Sequence, residues 1–189
     1  MGRFGVLYFT ASLLFSGSIA RAESLVGVPE ANCNAAFAQL SVPHLNSSGL
    51  QHILNGNFRN EQLRSGLHTR QGVEKFKDKL MRERKMSRGA VDAAVKITGE
   101  MSPQKPSVLQ INPEYFPESK ALQKSIFPRG WSIAKIVESI KTVATHPSEV
   151  ATLKSGNHLM IGIYSGVRIE LEVTPAGVIE TAHPSFQKQ

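Results

Sequence analysis

The sequence contains one cysteine, Cys33, in 189 residues, so no disulfide can form within the chain. It has neither a C-x-x-C nor an H-x-x-x-H spacing, which are spacings that commonly hold zinc. It also lacks a G-x-S-x-G elbow, a P-loop and a dinucleotide-binding glycine motif. These absences argue against a zinc site, a serine nucleophile and a nucleotide cofactor, and they leave packing as the source of stability.

The sequence also has no apolar run long enough to span a membrane. The apolar residues 4–15 are followed by the small and polar residues 16–18, well short of the roughly 20 apolar residues that a span requires. Arg3 precedes this run and A-R-A at 20–22 follows it, which is the order found in secretory signal peptides. We therefore expect residues 1–22 to be a cleaved signal peptide rather than a membrane anchor. The mature protein would be secreted or periplasmic, with no membrane attachment.

The whole chain has the composition of one ordinary globular domain, with 41% hydrophobic and 20% charged residues. The formal net charge of the whole chain is +7. Removing residues 1–22 takes away two arginines, Arg3 and Arg21, and no acidic residue, which lowers the net charge from +7 to +5. A basic surplus of this size favours polyanions or anionic surfaces as partners, although only modestly.

Several segments carry the signals of helices. Residues 29–40 and 50–54 predict short helices, the second one ended by Gly56. Residues 73–86 predict an amphipathic helix, whose apolar stripe consists of Val73, Phe76 and Leu80. Residues 87–100 fit either a helix or a strand, and the proline-rich stretch 101–117 predicts a loop around one strand, S-V-L-Q-I.

The clearest helix follows Pro128. Ser132 can cap it, and apolar residues recur along it at helical spacing: Ile133, Ile136, Val137, Ile140, Val143 and Ala144. Three β-rich runs come next, HLMIGIYS, VRIELEV and GVIETAH, separated by turn residues at the spacing of an antiparallel meander. We predict an α+β fold in which N-terminal helices precede an antiparallel β-sheet meander backed by the long helix.

Two of the six histidines, His52 and His68, lie among flexible and hydrogen-bonding residues that can border a shallow cleft. A neutral imidazole accepts a proton and a protonated one donates it, and both forms exist near the unperturbed pKa of about 6.5. Cleavage of RNA needs such a pair, because the 2′-hydroxyl must lose a proton and the departing 5′ oxygen must gain one. A fixed cation nearby would stabilise the extra negative charge on phosphorus. The pair is compatible with a metal-free ribonuclease, although either histidine alone is typical of a structural or exposed position.

Four blocks of the sequence resemble, in order and spacing, the EndoU endoribonucleases, a superfamily that includes bacterial toxin domains and the nidoviral uridylate-specific endoribonuclease. The blocks are HILNGN at 52–57, GLHT at 66–69, KSIFPRGWSIAKIVESIK at 124–141 and IETAHP at 179–184. The resemblance covers roughly residues 46–186. It implies an EndoU-like nuclease domain at 46–189, preceded by an N-terminal helical extension at 23–45.

The resemblance implies cleavage of single-stranded RNA, preferably at uridine, that leaves 2′,3′-cyclic phosphate ends. The reaction would be metal-independent or stimulated by manganese. By position, His68 would be the general base and His52 the general acid. Lys124 best matches the family's catalytic lysine, and Lys79 is a rival for that role.

Two residues of the last block are expected to bind the substrate. Thr181 matches the hydroxyl residue that the family places against the base, where its oxygen can pair with uracil. His183 departs from the family pattern, which commonly has tyrosine at this position. An imidazole can still stack on a base or ribose.

Two other hypotheses stand beside the nuclease. One is an exported basic protein that keeps the EndoU fold and binds RNA or another polyanion without cleaving it. The other concerns biological role: a toxin delivered into rival cells and restrained by an immunity or inhibitor protein. A signal peptide on a short chain is unlike the long delivery proteins that usually carry such toxin domains. Incubation with a uridine-containing RNA and a test for terminal cyclic phosphate separate the nuclease from the non-cleaving binder.

Overall fold

The computed structural model describes residues 43–59, 62–99, 102–117 and 123–185. The predicted signal peptide at 1–22 and helix at 29–40 lie outside these residues, as does most of the predicted extension at 23–45. In the part of the chain that is described, no helix is both long and apolar enough to cross a membrane.

Within the described residues the chain forms four helices and nine strands. The helices are α1 (Ser47–Asn55), α2 (Arg70–Glu83), α3 (Arg88–Ala94) and α4 (Ile133–Thr145). The strands are β1 (Asn57–Arg59), β2 (Gln62–Ser65), β3 (Val95–Thr98), β4 (Ser107–Ile111), β5 (Gln123–Ile126), β6 (Glu149–Thr152), β7 (His158–Tyr164), β8 (Val167–Val173) and β9 (Ile179–Pro184). They pair antiparallel into the sheets β1-β2, β3-β4-β5 and β6-β7-β8-β9. The predicted α+β class is confirmed, and the predicted meander is the core of the largest sheet.

Helix α4 packs on one face of this four-stranded sheet, as the sequence predicts. The Ser132 hydroxyl caps its first turn by accepting a hydrogen bond from the Lys135 amide over 3.2 Å. The buried side of the helix and the inward residues of β8 share one core: Ile136, Ile140, Val143, Ala144, Val167, Ile169, Leu171 and Val173. The prediction is wrong for one member of the apolar stripe. Ile133, the first residue of the helix, is not buried in this core: it lines a surface cavity, and 41% of its surface is exposed.

A second core surrounds helix α2. The helix begins after Thr69, whose hydroxyl accepts a hydrogen bond from the Gly72 amide over 3.0 Å. Its buried stripe consists of Val73, Phe76 and Leu80, which confirms the predicted amphipathic helix. This stripe packs in one cluster with apolar residues of β3, β4 and β5.

The remaining strands are short and were not predicted from the sequence. β1, β2, β5 and β6 contain only three or four residues each, too few for a visible alternation of apolar and polar side chains. The ambiguous segment 87–100 contains both structures, since α3 ends at Ala94 and β3 begins at Val95.

The two cores meet where α1, β5 and β9 come together, because both α1 and β5 contact β9. The chain ahead of α1 is connected by two backbone hydrogen bonds to the start of β9 and to the turn that precedes it. The His44 amide donates to the Gly177 carbonyl over 2.8 Å, and the Ile179 amide donates to the His44 carbonyl over 2.9 Å. Gly49 of α1 lies so close to β9 that an added Cβ would be 2.3 Å from the Ile179 carbonyl oxygen. The helix can approach the strand this closely only because residue 49 has no side chain.

Candidate active site

A cavity of about 720 Å³ lies at this junction, between α1, the loop after β2, strand β5 and strand β9. We call it the junction cavity. The five residues predicted to form a site all line it: His52, His68, Lys124, Thr181 and His183. The fold therefore brings together side chains that are far apart in the sequence, on the sheet face opposite to α4.

His52 occupies the last turn of α1 and is half-buried. The helix ends at Gly56, which has a φ of 74° and donates its amide to the His52 carbonyl over 3.0 Å. Glycine suits this ending because L side chains rarely adopt a positive φ. The His52 side chain is hydrogen-bonded to Asn57, the first residue after this turn.

The loop that carries His68 is fastened to α1 through the backbone. The Leu67 amide donates to the His52 carbonyl over 3.2 Å, and the His68 amide donates to the Ile53 carbonyl over 2.8 Å. Gly66 and Leu67 both have positive φ, 71° and 67°, so the chain turns sharply just ahead of His68. A Cβ on Gly66 would lie 2.1 Å from the His52 carbonyl oxygen, so only glycine fits at this contact.

The imidazole of His68 is buried, with 6% of its surface exposed, and its Nδ1 atom lies 2.8 Å from the Ser125 carbonyl oxygen. A carbonyl oxygen only accepts, so Nδ1 is assigned the proton, and Nε2 of the neutral ring keeps its lone pair. Burial lowers the pKa of His68 to about 3, helped by the positive charges of His183, Lys124 and His52 and opposed by the bond to Ser125. His68 is therefore a neutral proton acceptor over most of the pH range.

Burial also lowers the pKa of His52, and Lys124 adds to this effect. The hydrogen bond to Asn57 and the negative charge of Glu180 oppose it. The pKa of Lys124 is itself lowered by burial. Of these two imidazoles, His52 is the more exposed and His68 the more strongly held in its neutral form.

The two candidate lysines lie in different places. Lys124 is on β5, next to Ser125, and lines the junction cavity. Lys79 is on α2, where its Nζ atom is 3.5 Å from Glu83 and 5.7 Å from the ring centroid of Phe58. It borders a separate shallow cavity on that helix. The structure thus brings Lys124 to the histidines and leaves Lys79 elsewhere.

Thr181 and His183 project from β9 on the sheet face that forms the cavity wall. In the ladder with β8 they pair with Glu172 and Glu170. The ring of His183 contacts that of His68, with 5.2 Å between centroids and 31° between planes. Near Thr181, Glu172 and Glu180 each accept a hydrogen bond of 2.9 Å from the amide nitrogen of Asn157.

Sequence reasoning missed the residues that support this arrangement. They are Asn57, Gly66, Ser125, Glu172 and Glu180. Ser125 contributes a backbone carbonyl from 57 positions away, and a main-chain group leaves no signature in the sequence. Gly66 lies inside the block GLHT, so its place in the motif was visible, but its contact with His52 was not.

The described residues contain no group of three or more His, Cys, Asp and Glu side chains arranged to hold a metal ion. A manganese ion would need several oxygen ligands, and the two carboxylates in the cavity wall are held by Asn157. This donor set does not fit a bound manganese ion.

The side chains of the junction cavity can transfer protons to and from a bound anionic group. One wall offers a neutral acceptor, Nε2 of His68; another offers a half-buried imidazole that can carry a proton, His52; and Lys124 supplies a cation. Such a site can handle proton transfers at a phosphate ester without a covalent intermediate.

Comparison with known proteins agrees with the resemblance seen in the sequence. The family model for the bacterial EndoU nuclease matches residues 46–186. No curated protein and no solved structure gives a significant match. The matched segment covers most of the chain and includes every residue of the junction cavity named above, and so this chain is a member of the bacterial EndoU nuclease family.

Proposed function

We propose that this nuclease is an endoribonuclease that cleaves single-stranded RNA, preferably at uridine, by attack of the 2′-hydroxyl on the adjacent phosphate. One observation carries the proposal: a buried neutral histidine and a half-buried histidine line the same cavity as a lysine. The products would be a 2′,3′-cyclic phosphate and a free 5′-hydroxyl.

His68 acts as the general base. Its Nδ1 proton is engaged by the Ser125 carbonyl, which fixes the ring and leaves Nε2 to take the proton of the 2′-hydroxyl. The 2′ oxygen then forms a bond to phosphorus. His52, in its protonated form, gives its proton to the 5′ oxygen as the bond between that oxygen and phosphorus breaks.

Lys124 stabilises the phosphorane that forms between these two steps. This species carries more negative charge than the starting diester, so a fixed cation lowers its energy by more than that of the ground state. Lys124 is half-buried, and its interaction with an anion is screened less by water than that of an exposed lysine. The bound phosphate also offsets the surrounding positive charges and raises the pKa of both histidines, which strengthens His68 as a base.

Thr181 selects the base. Its hydroxyl both donates and accepts, so together with a backbone amide it can satisfy the N3–H and O2 groups of uracil. Cytosine presents an acceptor at N3 instead of a donor, and because the hydroxyl can also donate, Thr181 and a backbone amide together favour a pyrimidine. The preference for uridine over cytidine rests on the resemblance to the family and is measured separately.

We also propose that the protein acts outside the cytoplasm, after removal of residues 1–22. The sequence order of charge, apolar run and A-R-A supports this, and the mature chain would keep a net charge of +5 for binding RNA. The intact mass of protein recovered from its natural compartment tests the cleavage point.

The proposal is tested with a fluorescent DNA oligonucleotide that contains a single ribouridine. The expected result is one cut, at the 3′ side of the ribouridine, with a cyclic phosphate identified by mass spectrometry. The same oligonucleotide with deoxyuridine is the control and stays intact, because it has no 2′-hydroxyl. Binding without cleavage would support the non-cleaving RNA-binding protein, and cleavage at deoxyuridine would overturn the mechanism. Oligonucleotides with ribocytidine or riboadenosine at that position measure the base preference.

A further inference from the structure

Glu172 places a carboxylate in the wall of the junction cavity, and the reaction proposed above gives it no part. Along β8, Leu171 and Val173 are buried in the core shared with α4, so the residue between them points to the opposite face of the sheet. On that face Glu172 pairs directly with Thr181 of β9. Side chains paired in this way have Cβ atoms about 4.5 to 5.5 Å apart, so both can contact one small ligand.

The Glu172 carboxylate is held by one of its two oxygens. Its Oε1 atom accepts a hydrogen bond of 2.9 Å from Nδ2 of Asn157, in the turn between β6 and β7. The same nitrogen donates to Glu180 over 2.9 Å. Both partners are carboxylates, so the Asn157 amide must turn its NH2 group toward them. Among the residues that the structure describes, none donates a hydrogen bond to Oε2 of Glu172, which leaves this oxygen to a ligand.

Thr181 alone does not separate uracil from cytosine. Both bases have an acceptor at O2, and they differ at the neighbouring atom N3, which carries a proton in uracil and a lone pair in cytosine. A hydroxyl suits either base, because it both donates and accepts. An ionised carboxylate only accepts, so it binds the N3–H of uracil and repels the N3 lone pair of cytosine.

We propose that Glu172 selects uridine over cytidine: its second carboxylate oxygen accepts the N3–H of uracil while the Thr181 hydroxyl donates to O2 of the same base. This inference rests on the proposed binding of RNA in the junction cavity. It assigns the choice between the two pyrimidines to one charged acceptor on β8.

The exocyclic amino group of cytosine also donates to carboxylates in protein–nucleic acid complexes. In cytosine this group lies beyond N3 as seen from O2. A base whose O2 is bound to Thr181 therefore presents N3 to Glu172 ahead of the amino group, and the contact stays unfavourable for cytosine.

A carboxylate in this cavity also repels the phosphate of any nucleotide, although Lys124 in the same cavity offsets part of that repulsion. This effect is shared by uridine and cytidine, so it cancels when the two are compared. Specificity is a difference between two affinities, and the quantity that reports Glu172 is the ratio of uridine to cytidine. A wrong base opposite a hydrogen-bonding side chain lowers binding by roughly ten- to a hundredfold.

Glu172→Gln tests the charge while keeping the size of the side chain. The introduced amide oxygen can keep the hydrogen bond from Asn157, which turns the amide NH2 group toward the cavity. A donor then faces N3, and this suits cytosine and opposes uracil. We expect the ratio of kcat/KM for ribouridine to that for ribocytidine to fall at least about tenfold, with faster cleavage at ribocytidine.

Two matched substitutions remove a carboxylate nearby. Glu170 lies two residues away on the same face of β8, outside the junction cavity, where it is 3.7 Å from Arg168. Glu180 is held by the same Asn157 amide but is not paired with Thr181 in the ladder. Glu170→Gln and Glu180→Gln should both keep the wild-type ratio. Loss of the preference in Glu180→Gln instead of Glu172→Gln would overturn the proposal.

A substrate analogue tests the same contact from the side of the base. In 3-deazacytidine a C–H group replaces N3, which removes the lone pair and keeps the amino group. The wild type should cleave at 3-deazacytidine about tenfold faster than at cytidine, and Glu172→Gln should lose this difference. Equal rates at the two nucleotides in the wild type would contradict a repulsion at N3.

Binding is measured with DNA oligonucleotides that contain a single 2′-fluorouridine or 2′-fluorocytidine, which cannot be cleaved because they lack the 2′-hydroxyl. Fluorescence anisotropy gives the two Kd values. The wild type should bind the uridine form about tenfold more tightly, and Glu172→Gln should not. The proposal is overturned if Glu172→Gln keeps the wild-type ratio, or if the wild type binds both forms equally or binds neither.

This binding ratio decides the role of Glu172 even if the protein cleaves no RNA. Conversely, a wild-type enzyme that cleaves at uridine and a Glu172→Gln enzyme with the same base preference would refute the role of Glu172 alone. The proposed nuclease reaction would then stand.

Discussion

The carbonyl oxygen of His52 accepts a hydrogen bond from the amide of Leu67 over 3.2 Å, one residue before His68. A second bond, from the His68 amide to the Ile53 carbonyl over 2.8 Å, lies beside it. The two histidine-bearing segments are therefore joined by their main chains, and the spacing of the imidazoles does not depend on the rings themselves. Replacing either ring should leave the frame of the cavity intact.

Gly66 is a position in this main-chain connection where a side chain cannot be accommodated. Gly66→Ala would place a Cβ 2.1 Å from the His52 carbonyl oxygen, at a φ of 71° that L residues rarely adopt. We expect the substitution to lower the free energy of unfolding by about 2 to 4 kcal/mol, measured by urea denaturation. It should also reduce the cleavage rate by at least about tenfold, because the loop must move away from α1.

The matched control is Gly89→Ala in α3, where a Cβ would meet no atom within 4 Å. Alanine is the better helix former, so this change should raise stability by about 0.5 to 1 kcal/mol. If Gly66→Ala and Gly89→Ala behaved alike, the close approach of Gly66 to His52 would be refuted.

His52→Ala and His68→Ala should each reduce the rate of cleavage at ribouridine by at least about a hundredfold, the scale for losing a general acid or base. His158→Ala is the control, since His158 lies on β7 next to Thr152 and away from the junction cavity. The rates are compared under single-turnover conditions, with circular dichroism to confirm folding. Wild-type rates in both cavity variants would remove these residues from the mechanism.

Lys124→Ala should lower kcat by about ten- to a hundredfold with a smaller change in KM, because its charge is most valuable when the phosphorane forms. Lys79→Ala should stay close to wild type, since Lys79 lies on α2 beside Glu83. Steady-state kinetics on the single-ribouridine substrate measure both. The opposite ranking of the two lysines would assign the role to Lys79.

How much of the structure the sequence predicts depends on the length of each pattern. β8 and α4 were predicted because seven and thirteen residues display a full alternation or several helical turns. β5, with four residues, shows neither, yet it carries Lys124 and the carbonyl that holds His68. Its position follows from pairing with β4, a tertiary relationship that no local pattern records.

In the candidate site, too, one part could be predicted from the sequence and another could not. His52, His68, Lys124, Thr181 and His183 were found through four motif blocks, and the structure brings them to one cavity. The contact between His68 and His183 could not be predicted, because it depends on how the β2–α2 loop meets β9. Motif blocks identify side chains, whereas the distances and burial that set their pKa values arise only from folding.

The pH dependence of the reaction follows from the two histidines. The base must be neutral, so kcat/KM should rise as the pH passes the pKa of His68, about 3. The acid must be protonated, and the pKa of His52 is lowered from 6.5, so kcat/KM should fall as the pH rises beyond that lowered value. The optimum for the free enzyme is therefore acidic, and cleavage at pH 5 should be faster than at pH 7.5. A maximum above pH 7 would contradict the assignment of His52 as the acid.

The buried His68 should also make the fold sensitive to acid. In the unfolded chain an imidazole has a pKa of about 6.5, whereas the pKa of His68 in the folded protein is about 3. Below pH 6.5 the unfolded chain binds a proton that the folded chain does not. The contribution of this group to the free energy of unfolding is therefore fully present above pH 6.5 and is lost as the pH falls toward 3. Between pH 7 and pH 4.5 this single group should cost about 2 kcal/mol of unfolding free energy. His68→Gln removes the titrating group. Between these two pH values the free energy of unfolding of His68→Gln should therefore fall by about 2 kcal/mol less than that of the wild type. Urea denaturation at pH 7 and at pH 4.5 measures both losses. The control His146→Gln keeps the buried imidazole and should follow wild type, and equal acid sensitivity in all three proteins would show that His68 is not held neutral by the fold.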